Sequence, residues 1–111
     1  MLIFKVLLPE EWRSFETTGA FPGSPLDATS GFIHCSSRSQ VAATIGRFFA
    51  DDAELVVVGV DTTRLGASCR WERATSGELF PHVYRALTVS DVVEVHQVAS
   101  PADLDQILRG S

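Results

Sequence analysis

The segment that most constrains this chain is Gly31-Phe32-Ile33-His34-Cys35-Ser36-Ser37, followed by a helical pattern that ends near Ala50. The apolar residues after the glycine predict a strand over residues 31–35. Ser37 and Gln40 form a capping box, which predicts the start of the helix. Polar side chains at the end of a buried strand, beside a helix N-terminus, are a common setting for binding sites.

Strand alternation places His34 and Ser36 on one face and Cys35 on the other. The imidazole of His34 can bind a ribose hydroxyl or act as an acid or base, and it can also be a structural histidine. Both interpretations stay open. A His34–Cys35 dyad is disfavoured because the two side chains point to opposite faces, and Cys35 fits a buried apolar position.

The rest of the chain favours the α+β class, because strands dominate its second half and helices lie near its two ends. The pattern predicts strands over Leu2–Leu8, Leu55–Val60, Cys69–Glu72, Leu79–Leu87 (with Pro81 at an edge or bulge) and Val92–Val98. It predicts helices over Pro9–Thr18, Asp61–Gly66 and from Ser100 onward. Residues 20–30 are expected to be a loop, either a binding loop or a connector. With 111 residues, we expect a single domain over 1–111.

Lys5 interrupts the apolar run of the first strand. We favour an edge-strand lysine that extends to water, and the alternative is a lysine at the rim of a pocket.

A second polar segment follows the central strand. Arg70 and Glu72 share one strand face, and His82 and Tyr84 share another. A surface or cross-strand ion pair is the favoured interpretation of Arg70 and Glu72. The alternative is that Arg70 binds a phosphate or carboxylate and Glu72 orients it. Two histidines and a carboxylate can hold a metal, but nothing in this spacing demands one, and we expect no metal site.

The net charge of −5 argues against broad binding to nucleic acids or anionic membranes, yet leaves room for a pocket that takes one phosphate. The sequence has neither a signal-peptide pattern nor an apolar stretch near the roughly 20 residues of a membrane span. Its two cysteines fit no metal or disulfide spacing. We expect a cytoplasmic protein.

Taken in order, these motifs resemble the bacterial family called domain of unknown function 952. The resemblance rests on Gly31–Ser36, Arg47-Phe48-Phe49, Leu55–Asp61, Arg64-Leu65-Gly66, Arg70-Trp71-Glu72 and Phe80–Tyr84. It implies an ADP-ribosyltransferase-like fold, a split and mainly antiparallel sheet with flanking helices and a cleft.

The resemblance also implies roles for residues. Lys5 stands where ADP-ribosyltransferases carry a histidine that binds the nicotinamide ribose. His34 and Ser36 are similar to a segment of the NAD-using RNA 2′-phosphotransferases. Arg47 and Arg70 are candidates for the arginines of those enzymes, and Glu72 or Glu78 for a later-strand glutamate.

The leading hypothesis is a cleft that binds NAD, a nucleotide or another phosphorylated small molecule. His34 and His82 would be the catalytic residues, with ligand contacts from Ser36, Arg70, Glu72, Tyr84, Lys5 and Arg47. NAD is the first cofactor to test. Whether the protein is an enzyme stays open, because Lys5 and the unassigned glutamate also favour a non-catalytic binding or protein-interaction module. A hydrolase with Ser36 as nucleophile is a weaker third hypothesis.

Overall fold

The computed structural model of this chain describes residues 1–109. Its strands are β1 (Leu2–Leu7), β2 (Ala20–Phe21), β3 (Ile33–His34), β4 (Leu55–Asp61), β5 (Cys69–Arg73), β6 (Leu79–Val83), β7 (Leu87–Thr88) and β8 (Val92–Val98). Its α-helices are α1 (Pro9–Thr18), α2 (Pro25–Ser30), α3 (Val41–Phe48), α4 (Thr62–Leu65) and α5 (Pro101–Arg109). Short 3₁₀ turns cover Arg38–Gln40, Gly66–Ser68 and Val89–Asp91.

Two three-stranded antiparallel sheets form the body of the molecule, in the orders β1-β4-β8 and β3-β6-β5, and β2 pairs with β7. The two larger sheets meet at Phe4 and Ser36, whose backbone amides donate to each other's carbonyls at 2.7 and 2.8 Å. This arrangement confirms the predicted α+β class with antiparallel pairing.

Strand β4 lies at the centre of its sheet because both of its faces are apolar. Val56, Val58 and Val60 pack into one core with Phe15 of α1. The opposite face packs into a second core, which includes Val41 of α3 and Ile107 of α5. Helices cover both sides of this sheet, as the sequence pattern required.

The predicted helix ends are confirmed at three sites. Gly19 ends α1 in the left-handed conformation, with φ of 86°. The side chain of Asp61 caps α4, and Pro101 begins α5. Among residues 1–109, no helix combines the length and apolar character needed to cross a membrane.

The predicted loop over residues 20–30 is wrong, because it contains β2 and α2. Helix α2 has a capping box in which Ser24 Oγ accepts from the Asp27 amide at 3.2 Å and Asp27 Oδ2 accepts from the Ser24 amide at 2.9 Å. The capping signal was therefore present among the turn-forming residues.

Two other expectations differ from the structure. Pro81 lies in the middle strand of its sheet, not at an edge. It is tolerated because it lies opposite Cys35, beyond the end of the short strand β3, so its missing N–H removes no hydrogen bond between β3 and β6. Its carbonyl still accepts from the Cys35 amide at 3.1 Å. Helix α3 ends at Phe48, before the predicted end near Ala50, and the Phe48 side chain is exposed where it borders a cavity.

Candidate functional site

A cavity of about 500 Å³ lies beside the junction of the two larger sheets. Its apolar wall is mostly aromatic and aliphatic, and its polar groups come from separate elements. The apolar residues include Phe4, Val6, Leu8, Leu26, Phe48, Phe49 and Phe80, and the polar ones include Lys5, Asp27, His34, Ser36, Thr44, Arg47 and His82. An apolar pocket with a few convergent polar groups is typical of small-molecule sites.

The first polar group is built on Asp27, which is 2% exposed. Its Oδ1 lies 2.6 Å from His34 Nδ1 and accepts from the His34 backbone amide at 3.0 Å. Its Oδ2 lies 2.9 Å from Lys5 Nζ. The Lys5 ammonium also donates to the His34 carbonyl at 2.9 Å. Three elements, β1, α2 and β3, therefore meet at one carboxylate.

The interpretation of Lys5 as a water-exposed edge lysine is wrong. Its side chain is 7% exposed and lines the cavity. The physical reason is that Asp27 supplies a buried counter-charge, which removes the need to extend to water.

Gly23 permits the close placement of Asp27. Its φ is +123°, and a Cβ there would lie 2.9 Å from the Asp27 Cβ. Only glycine accepts both constraints easily. A glycine at this position therefore leaves room for the Asp27 side chain.

Asp27 remains ionised at neutral pH. Burial by itself raises the pKa of this carboxyl, but Lys5 and the hydrogen bonds from His34 and Ser24 outweigh it and hold the pKa below its usual value. An ionised carboxylate only accepts hydrogen bonds, so His34 Nδ1 carries the proton and Nε2 of the neutral ring is an acceptor.

The second polar group is built on Glu72 of β5. Its Oε1 lies 2.8 Å from His82 Nδ1 and accepts from the Tyr84 hydroxyl at 2.6 Å. The hydrogen bonds from Tyr84 and His82 lower the pKa of Glu72. The hydrogen bond to Glu72 raises the pKa of the Tyr84 hydroxyl. His82 is therefore held in the same tautomer as His34.

The two imidazoles are neighbours. His34 and His82 are paired across β3 and β6, and their ring centroids are 5.7 Å apart. Phe32 lies against both rings, with centroid distances of 4.6 Å to His34 and 4.0 Å to His82. In the part of the chain that the structure describes, no hydrogen bond reaches Nε2 of either ring.

A third polar group lies on the α3 side of the cavity. Ser36 Oγ and Thr44 Oγ1 are 2.7 Å apart, and Arg47 follows Thr44 by one helical turn. The Arg47 guanidinium lies 5.1 Å from the Phe48 ring centroid. Over residues 1–109, no ion-pair partner of Arg47 is found within 4.0 Å.

The structure brings five of the eight predicted site residues to the cavity wall, which are Lys5, His34, Ser36, Arg47 and His82. Arg70, Glu72 and Tyr84 are not part of that wall. The favoured Arg70–Glu72 ion pair is wrong. The Arg70 guanidinium lies 4.7 Å from the Tyr84 ring centroid, while Glu72 binds His82 and Tyr84.

Sequence reasoning missed Asp27, Phe32 and Thr44. Asp27 was assigned to a loop, although the Ser24–Asp27 capping signal marks a helix. Phe32 and Thr44 flank predicted site residues but carried no distinctive signal.

Cys35 lies next to the cavity but is 4% exposed. Burial raises the pKa of its thiol to about 12. The thiolate form needed for nucleophilic chemistry is therefore disfavoured, in agreement with the buried apolar role expected from sequence.

Comparison with known proteins agrees with the motif pattern. The family model described as protein of unknown function (DUF952) matches residues 6–95. A crystal structure of protein CC0527 from Caulobacter crescentus is 36% identical, with a TM-score of 0.88, over 96% of this chain and 98% of that one. A solution NMR structure of CC0527 is 38% identical, with a TM-score of 0.81, over 92% and 88% of the two chains.

No curated protein matches this sequence. The family model covers most of the chain, including β3, β6 and the histidine pair, and the solved relative shares the whole arrangement of helices and sheets. The chain belongs to the DUF952 family.

Proposed function

We propose that this chain is a small cytoplasmic protein with an ADP-ribosyltransferase-like fold, whose cavity binds a nucleotide or another phosphorylated small molecule. NAD is the first compound to test. One observation carries the proposal: two imidazoles on neighbouring strands border an apolar cavity, and each has Nδ1 held by a carboxylate. This leaves two Nε2 atoms to accept from ribose hydroxyls or, in a protonated ring, to donate to phosphate oxygens.

The size and lining of the cavity support a nucleotide. A volume of about 500 Å³ falls within the range of small-molecule sites. The aromatic wall of Phe48, Phe49 and Phe80 suits a planar base or nicotinamide ring.

Charge supports an anionic group on the ligand. Lys5 and Asp27 neutralise each other within the wall. Glu11 uses its Oε1 to accept from the Leu8 amide at 2.9 Å. Arg47, which has no ion-pair partner within 4.0 Å among residues 1–109, presents a guanidinium for an anionic group beside the hydroxyls of Ser36 and Thr44. Guanidinium and hydroxyl groups bind phosphate well.

The test is an amide NMR titration with NAD, ADP-ribose and AMP. We expect shifts for residues 34–47 and 80–84, with an affinity that falls about tenfold or more in the double variant His34→Ala, His82→Ala, because two hydrogen bonds of about 0.5–1.5 kcal/mol each are lost. His96→Ala is the matched control, because His96 lies on β8, bonds Glu94, and is not part of the cavity wall. Unchanged affinity in the double variant would contradict the proposal.

A non-catalytic binding module is the second candidate, and the position of Glu72 favours it. Glu72 lies outside the cavity wall and is engaged by His82 and Tyr84. Lys5, at the position that the family resemblance assigns to a histidine, is engaged by Asp27. Binding of NAD without release of nicotinamide would support the module, and steady release would support a transferase-like enzyme.

A further inference from the structure

We propose that His34 and His82 act as a general base and a general acid on one bound phosphate, and that the substrate is a nucleoside 2′,3′-cyclic phosphate that is opened by water. The inference rests on the proposed function, because it requires a phosphorylated ligand in the cavity. It adds the reaction and the substrate class.

The spacing of the rings allows both to contact one phosphate. Their centroids are 5.7 Å apart, and both residues border the same cavity. A catalytic hydrogen bond spans about 2.6–3.2 Å, so two neighbouring rings on one cavity can each bond a different oxygen of a single tetrahedral group. An attacking and a leaving oxygen on that phosphorus would each have an imidazole within reach.

Each ring is held by groups from a different part of the fold. His34 is faced by Asp27 of α2 and, through that carboxylate, by Lys5 of β1. His82 is faced by Glu72 of β5 and by Tyr84 hydrogen-bonded to it, with Arg70 against the Tyr84 ring. In both cases Nδ1–H points to a carboxylate and Nε2 is the atom that exchanges a proton.

The chemistry of a phosphate gives the two rings different tasks. Phosphate oxygens only accept hydrogen bonds, so the ring that contacts one must be the imidazolium, which carries a proton on Nε2 as well as on Nδ1. The second ring is then available to accept a proton from water. His34 has a side chain 35% exposed, against 10% for His82, so His34 is the ring that meets incoming water and His82 the deeper acid.

Charge favours a small substrate with one phosphate. A net charge of −5 disfavours a polynucleotide, and the guanidinium of Arg47 in the cavity wall can bind the single negative charge of a cyclic phosphodiester. The ribose oxygen that leaves such a ring needs a proton, and the attacking water must lose one. A base and an acid are thus both required.

The reaction adds one water. The water oxygen attacks phosphorus as His34 Nε2 takes its proton. The bond between phosphorus and one ribose oxygen breaks, and that oxygen takes the proton of His82 Nε2. The product is a nucleoside monophosphate, and exchange with solvent returns the proton from His34 to His82.

The test follows hydrolysis of 2′,3′-cyclic AMP by ³¹P NMR in the presence of EDTA. We expect turnover by the native protein and a loss of at least about 100-fold in His34→Gln and in His82→Gln. His96→Gln is the control that keeps the native rate. The native protein should also give a bell-shaped pH profile, with one limb for the base and one for the acid.

Three outcomes would overturn the inference: no turnover, a rate that EDTA abolishes, or a native profile with a single limb. The pH profile is measured on the native chain, so misfolding of a variant does not affect it. If AMP binds in the NMR titration but 2′,3′-cyclic AMP is not hydrolysed, the inference of acid–base catalysis fails and the proposed binding function stands. If neither compound binds, both fail.

Discussion

Lys5 and Asp27 form a buried ion pair, and Asp27 also sets the tautomer of His34. The pair therefore links the stability of the protein to the tautomer of its site histidine. Their side chains are 7% and 2% exposed. Removing one partner of such a pair leaves an uncompensated buried charge, which is more costly than removing both. The ion pair is thus a structural support as well as the group that orients His34.

At this scale we predict that Asp27→Asn lowers the free energy of unfolding at pH 7 by roughly 3–5 kcal/mol, because the Lys5 ammonium is left buried and unpaired. The double variant Lys5→Met, Asp27→Asn should recover a large part of this loss. Urea unfolding of the native protein, the single variants Lys5→Met and Asp27→Asn, and the double variant completes the double-mutant cycle. Equal stability of native and Asp27→Asn proteins would contradict the prediction.

The same cycle has a pH dependence of known sign. The pKa of Asp27 is lower in the folded protein than its usual value of 3.8. The stability that its ionised form contributes is therefore complete well above pH 3.8 and is lost as the pH falls through the pKa of the folded protein. Asp91 serves as the comparison: hydrogen bonds from Arg85 at 2.9 and 3.0 Å lower its pKa to about 2. Asp27→Asn should make stability depend less steeply on pH in the acid range. The loss of stability that Asp91 causes as the pH falls towards 2 should remain.

At the scale of secondary structure, two glycines have opposite surroundings. A Cβ on Gly59 of β4 would lie 3.1 Å from both the Glu94 Cβ and the Phe4 Cε1, at the point where the β4–β8 register shifts. A Cβ on Gly46 of α3 would have no atom within 4 Å. Strand β4 is therefore closely packed at Gly59, whereas α3 has open space at Gly46.

We predict that Gly59→Ala destabilises the protein by about 1–3 kcal/mol through overpacking. Gly46→Ala should stabilise it by about 0.5–1 kcal/mol, because alanine loses less backbone entropy in a helix. Urea unfolding of both variants gives the comparison. Two changes of the same sign would show that local packing does not decide these positions.

Element scale is also where the sequence was most and least informative. Strand β4 was predictable because Leu55 to Val60 is apolar on both faces, a pattern that only a central strand satisfies. Helix α2 was not, because its six residues are too short to show an apolar period. Its carboxylate is placed by Lys5 and His34, and local pattern carries no information about such distant contacts. We predicted His34 and His82 for one cleft, but their direct pairing across β3 and β6 was not predictable, for the same reason.

At the scale of the whole molecule, two cores share the same central sheet. Phe15 and Leu65 belong to one core and Val57 and Ile107 to the other, yet residues of β1 and β4 contribute to both. A cavity made in one core should therefore weaken the strands that support the other.

We predict that Ile107→Ala, which removes a fully buried side chain, costs about 2–5 kcal/mol and leaves unfolding a single transition. The measurement uses a Trp71→Phe background, in which Trp12 is the remaining tryptophan and reports on the opposite core. Fluorescence and far-UV circular dichroism should give one midpoint. Two midpoints would mean that the cores unfold independently.

The carboxylate of Asp27 closes the first turn of α2, neutralises Lys5 and holds His34. Because one carboxylate makes all three interactions, they form and break together. When residues 24–31 unfold transiently, the ring of His34 loses its hydrogen bond to Asp27. The conformer that binds the ligand is therefore populated only while α2 is folded. The observed affinity is the intrinsic one scaled by that population. A bound ligand should accordingly slow hydrogen exchange at the Ala28 and Gly31 amides, which donate to Ser24 and Asp27, with no direct contact to either.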